Sequence, residues 1–191
     1  TALALCFAAE DNAGAAVLDP AKVSGKIVLC DRGVNARTNK SAAVKAAGGV
    51  GMVLVNISTN SINADFHAVP SVHLQATDRA AVAAYAATPG ATAALAPATI
   101  GNTGVAPLTA SFSSRGPLVA GGGDLLKPDI IAPGQDVLAA VAPYTENGEY
   151  FGLKSGTSMS SPHIAGIAAL FKELHPRWSP MAIKSALMTT A

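Results

Sequence analysis

Apolar runs alternate with amphipathic stretches through the first hundred residues, and Gly, Asn and Pro separate them. Residues 26–30, Lys-Ile-Val-Leu-Cys, predict a buried strand. A helical pattern follows from about Asn39 to Ala47, and Gly48-Gly49 stops it. Residues 52–55, Met-Val-Leu-Val, predict a second strand, which gives a strand-helix-strand unit. Residues 69–74 predict a third strand, after which Thr77 is placed to cap a helix that reaches about Ala87 and ends at Pro89-Gly90. Residues 91–100 are apolar, but Pro97 demotes them to a sheet edge.

The turn-rich stretch Gly101-Asn102-Thr103-Gly104 marks a change of character and divides the chain into domains at 1–104 and 105–191. The second part opens with loop-forming sequence, including a glycine run at 121–123. Only its last quarter is strongly helical. There Ile164, Ile167, Ala168, Phe171 and Leu174 recur at three- and four-residue spacing. Ser179-Pro180 then opens a further helix, with an N-cap and a proline at the first helical position.

Composition narrows the function. Half of the 191 residues are hydrophobic, enough to bury a substantial core over one or two units. Charged residues make up 13% of the chain, the formal net charge is +1, and no Lys or Arg cluster forms, which excludes a polyanion-binding role. No nucleic-acid partner is expected. No apolar run reaches the roughly 18–20 residues of a membrane span, so no membrane partner is expected either. The opening TALALCFAA has the apolarity of a signal peptide core but no initiating Met and no preceding basic residue, and the chain stops within a helical pattern; both features predict a piece of a longer chain. Cys6 and Cys30 are the two cysteines. They read either as a disulfide, which would suit an oxidising compartment, or as two buried thiols.

The stretch GTSMSSPH at 156–163 leads directly into the apolar-periodic helix. A turn feeding a helix leaves its first backbone N–H groups unpaired beside Ser158, with the positive end of the dipole behind them. A serine nucleophile needs such donors for the oxyanion that develops on attack, and the Ser158 N–H is placed to be one. On pattern alone, Ser155, Thr157 and Ser158 read equally well as helix caps. Pro162 is expected in the first turn, where a missing N–H costs nothing. His163 lies five residues beyond Ser158, about 140° around a helix, so it reads as a buried, hydrogen-bonded structural histidine and not as a general base. No Asp follows Ser158, and Glu173 and His175 sit at the far end of the same helix, which argues against the α/β-hydrolase order.

GTSMSSPHIAG at 156–166 resembles the nucleophile signature of the subtilisin-like proteases, or subtilases, and the likeness extends through SFSSRGP at 111–117, KPDIIAPG at 127–134 and HPRWSPMAIKSALMTTA at 175–191. SGKIVLCDRG at 24–33 and AAGGVGMVLVN at 46–56 resemble the protease-associated domain inserted in many of these enzymes. The resemblance implies an α/β fold: the C-terminal part of a parallel-sheet catalytic domain preceded by a β-rich α+β protease-associated domain. It implies a secreted serine endopeptidase acting on proteins or peptides through Ser158, with the partner Asp, His and oxyanion Asn upstream of residue 1. The isolated chain would then be inactive. A non-catalytic interaction module and a pseudoprotease are the alternatives, and self-association through the protease-associated domain is a further option. No cofactor is expected for catalysis. Calcium stabilises many family members, but no Asp-rich loop here predicts a site. His67 and His73 read as surface or packing residues, Asp129 as a backbone-bonding turn residue, and Arg115 as half of a structural ion pair. With most of the catalytic sheet absent, Ile164, Ile167 and Phe171 are expected to expose apolar surface.

Overall fold

A computed structural model describes residues 1–99, 101, 107–145 and 148–191. The chain forms two compact units, Thr1–Gly104 and Val105–Ala191. Helices and strands are mixed, and the parallel sheet lies in the first unit. Of the turn-rich stretch expected at 101–104, residues 102–104 lie outside the described residues, as does Ile100.

In the first unit, a short helix α1 (Pro20–Val23) is capped by the Asp19 carboxylate, which accepts from the Ala21 N–H. The strands β1 (Ile27–Asp31), β2 (Gly51–Val55) and β3 (Ser71–Leu74) form a parallel sheet in that order. The pairing aligns Cys30 with Leu54 and Leu54 with His73. β2 is central, and its residues are buried except for the partly covered Val53. A strand covered on both faces needs an unbroken apolar run, and Met-Val-Leu-Val supplies it.

The crossover from β1 to β2 is α2 (Arg37–Ala46). Gly48, just past its C-cap Ala47, has φ +80°, the left-handed turn that ends helices. Gly49 is small for another reason: a Cβ there would lie 2.5 Å from Val44 Cγ1. Val44, Ala47, Met52, Leu54, Leu18, Val23, Cys6 and Cys30 make the core. Cys6 and Cys30 are joined by a disulfide, with Cα atoms 5.6 Å apart, so the bridged reading holds over the two-thiol one.

Two expectations change in this unit. Thr77 does not cap α3 (Arg79–Ala86): residues Ala76–Asp78 form a 3-10 turn, and the helix starts after it with no side-chain cap bond. Its start is tied instead by Arg79, whose guanidinium makes a bidentate pair with the Asp31 carboxylate at 2.9 and 2.7 Å. Residues 91–99 form no strand; Tyr85 Oη donates to the Thr92 carbonyl, tying the start of the segment to α3.

The second unit contains an antiparallel pair, β4 (Val137–Ala140) and β5 (Phe151–Lys154), followed by α4 (Thr157–Leu174) and α5 (Pro180–Thr190). Ser179 caps α5 as the sequence predicts, its hydroxyl accepting from the Ala182 N–H at 3.2 Å. Lys172 Nζ donates to the carbonyls of Pro176 and Trp178 and closes the α4–α5 turn. Ile164 and Phe171 are half-buried and Ile167 is 41% exposed, so α4 buries no residue fully. No helix among the described residues is long and apolar enough to cross a membrane.

Candidate active site

β5 runs through Ser155 and Gly156 straight into α4, and Ser158 is the second helical residue. The N-cap is Gly156, in an extended conformation and without a side chain to cap the helix. The capping reading of the three hydroxyl residues therefore does not describe this turn: the Ser155 hydroxyl is engaged elsewhere, and Thr157 and Ser158 lie inside the helix. Ser158 is exposed, and its backbone N–H belongs to the first turn, where no helical acceptor exists. Donors and dipole at this point favour negative charge beside Ser158.

Pro162 is the sixth helical residue, not a first-turn residue as expected, because α4 starts at Thr157. Proline has no N–H, so the carbonyl four residues earlier, that of Ser158, lacks its helical donor. The helix thus loses an internal bond at Ser158 itself.

The 132–136 loop lies against the same turn. Gly156 N–H donates to the Gly134 carbonyl at 2.7 Å, and Ser160 Oγ donates to the Ala132 carbonyl at 2.9 Å. Ser155 Oγ accepts from the Asp136 N–H at 2.8 Å and donates to Asp136 Oδ1 at 2.9 Å, which closes a small ring. A Cβ on Gly134 would fall 2.1 Å from Ser160 Oγ and 2.9 Å from the Gly156 carbonyl oxygen, so only glycine lets the loop approach this closely. A cleft of about 940 Å³ runs between this loop, Phe112 and α4; Thr157, Ser160 and Ser161 line it, and Ser158 does not.

His163 is exposed, not buried as expected, because α4 turns this face to solvent; its Nδ1 lies 2.7 Å from the Met159 carbonyl oxygen. His175 ends the helix and stacks on Trp178, with centroids 4.1 Å apart, far along the chain from Ser158. The Asp129 carboxylate is taken by Lys127 at 2.5 Å and Lys184 at 3.0 Å, in place of the backbone groups expected from its turn, and this pairing holds it below the usual carboxylate range. Arg115 makes no ion pair among the described residues, against expectation; its loop is exposed and brings no carboxylate to it. Among the described residues, no His or carboxylate bonds to Ser158 Oγ, and no cluster of three His, Cys, Asp or Glu side chains suits a metal.

His67 and His73 belong to the first unit, His67 in the β2–β3 connection and His73 on β3 with its ring against that connection. His73 Nδ1 faces the Asn63 N–H at 3.3 Å and Nε2 lies 2.8 Å from Asn56 Oδ1. His67 Nδ1 lies 3.1 Å from Ser41 Oγ, beside the bidentate Arg37–Asp65 pair. The clamp on the Ser158 turn is what sequence reasoning missed: Ser155, Ser160 and Asp136 carry no local pattern that ties them together. The signal that pointed to that loop was the stretch KPDIIAPG at 127–134.

Residues 14–191 match the family model described as the subtilase family, peptidase S8. The chain is 46% identical over 187 residues to the Arabidopsis thaliana protein named subtilisin-like protease SBT1.7, and 46% identical over 186 residues to the one named SBT1.3. It is 45% identical over 186 residues to SBT5.4 of the same plant. Each alignment covers 91% of this chain and 24% of the relative, so the chain spans about a quarter of the length of these curated relatives.

Proposed function

This chain belongs to the subtilase family, and we propose that it contributes the nucleophile, Ser158, to a secreted serine endopeptidase that cleaves proteins or peptides. The observation that carries the reading is the position of Ser158: an exposed hydroxyl at the second residue of α4, with a backbone N–H that no acceptor among the described residues takes. Ser158 Oγ attacks the scissile carbonyl and forms an acyl-enzyme, and the Ser158 N–H donates to the oxyanion as it develops. In subtilisin the Asp and His precede the Ser in the chain. The reading therefore assigns the Asp, the general-base His and the second oxyanion donor, an Asn, to sequence outside these 191 residues.

The same reading assigns residues 1–104 to a protease-associated domain, and the Cys6–Cys30 bridge favours an oxidising, extracellular setting. Labelling with a fluorophosphonate probe tests the proposal. The full-length protein should label and its Ser158→Ala variant should not, while the 191-residue chain alone stays unlabelled. A well-folded full-length protein that fails to label would leave an interaction module as the better account.

A further inference from the structure

We propose that the 132–136 loop is a positioning template for the nucleophile, with Ser155, Asp136 and Ser160 as positioning residues that act through the backbone of Ser158. The inference rests on the reading of Ser158 as the attacking residue. Alternate residues of the loop, 132, 134 and 136, bond to the turn on both sides of Ser158: three residues before it at Ser155, two before at Gly156 and two after at Ser160.

The turn needs holding from outside because it is poorly held from within. Its N-cap has no side chain, and Pro162 removes the helical donor to the Ser158 carbonyl. A helix start that lacks both supports would otherwise fray, and the Ser158 N–H and Oγ would move together with it. The loop accepts backbone strain to supply the support. Asp136 has φ +52°, a left-handed conformation that side chains other than Gly, Asn and Asp rarely adopt. Its own N–H and Oδ1 both close on the Ser155 hydroxyl, and that ring holds the conformation in place. Strained backbone beside a reacting group is a sign of pre-organisation. The bonds define which atoms matter: an acceptor at Asp136 Oδ1, a hydroxyl at Ser155 and a hydroxyl at Ser160.

The test uses the full-length protein and its Asp136→Ala, Asp136→Asn and Ser160→Ala variants. Active sites are titrated with the fluorophosphonate, and kcat and KM for a peptide amide are expressed per titrated site, which removes misfolded protein from the comparison. Displacing the nucleophile by a fraction of an ångström to 1 Å lowers kcat about 10- to 100-fold while KM stays within about twofold. The rate constant for fluorophosphonate labelling falls in parallel. Asp136→Asn, which keeps an oxygen facing Ser155 and tolerates the left-handed backbone, recovers most of the loss seen in Asp136→Ala. A purely structural role would lower the fraction of titratable sites and the thermal midpoint while leaving kcat per site unchanged. That outcome, in both Asp136→Ala and Ser160→Ala, overturns the proposal. Absence of labelling in the folded parent protein overturns the Ser158 reading itself and the template with it, a result distinct from labelled variants with unchanged kcat.

Discussion

Removing the Cys6–Cys30 bridge should cost the first unit about 3.5 kcal/mol, because the bridge closes a loop with a sequence separation of 24. In the chain-entropy model, such a loop removes about 12 cal/mol/K from the unfolded ensemble, which gives that figure at 25 °C. The native side of the balance should change little. The N-terminal turn is also held by Asp31 N–H donating to the Ala4 carbonyl at 2.8 Å and by Lys40 Nζ donating to the Leu5 carbonyl at 2.6 Å. Both cysteines are buried in the core, so alanine leaves only small voids. The assay is urea denaturation of the Cys6→Ala/Cys30→Ala chain followed by far-UV circular dichroism, with the oxidised and reduced wild-type chains as references. With a slope of about 1.5–2 kcal/mol/M for a unit of this size, the midpoint should fall by roughly 2 M. A fall below about 0.5 M at unchanged slope would refute the reasoning and show that the hydrogen bonds alone fix the N-terminal turn.

Two further predictions concern the same unit. Burial, first, and for His67 the neighbouring Arg37, hold the imidazoles of His67 and His73 below the ordinary 6.5, with Asp65 opposing; Arg32 and Arg37 also face His73. Below pH 6.5 the unfolded chain takes up protons that the folded one refuses, so the urea midpoint of the first unit should hold above pH 6.5 and decline as the pH falls below it; a midpoint flat from pH 7.5 to 5.5 would contradict this. Burial likewise pushes the Lys40 ammonium down to about 8 against the attraction of Asp11 and Asp31. Its side chain is fully buried against Leu5 and Asn35, so a nitrogen-15 NMR titration should find its midpoint near 8, with stability rising as the pH climbs from there toward 10.5, and an ordinary midpoint near 10.5 would exclude it.

What could be read from the sequence follows the reach of each signal. The strand β2 was legible because burial on both faces demands an unbroken apolar run, β1 because its apolar run is partly covered around the buried Cys30, and the Gly48 and Ser179 boundaries because caps are local. Thr77 and residues 91–99 failed because their fate was decided at a distance. The Arg79–Asp31 pair, 48 residues apart in sequence, replaces the cap, and Tyr85 draws the apolar segment toward α3. The proposal that Ser158 is the nucleophile rests, on the sequence side, on a long motif. The clamp that surrounds Ser158 was not legible, since nothing in the spacing of Asp136 and Ser155 announces that their side chains meet.

The two units are stabilised in different ways, and the difference bears on the residue proposed as the nucleophile. Nearly all the buried hydrophobic side chains among the described residues lie in the first unit, and Ile183 is the one in the second. A helix normally draws its stability from packing an apolar face, yet α4 leaves Ile167, Leu170 and Leu174 exposed by 41%, 60% and 74%. Within these 191 residues, burial therefore does little to fix the start of α4. Directional bonds can do so without a core, because each one constrains both distance and angle. The four bonds from the 132–136 loop fall within three residues of Ser158. Their concentration there, where Pro162 removes an internal helical bond, ties the start of α4 to the loop at the residue proposed as the nucleophile.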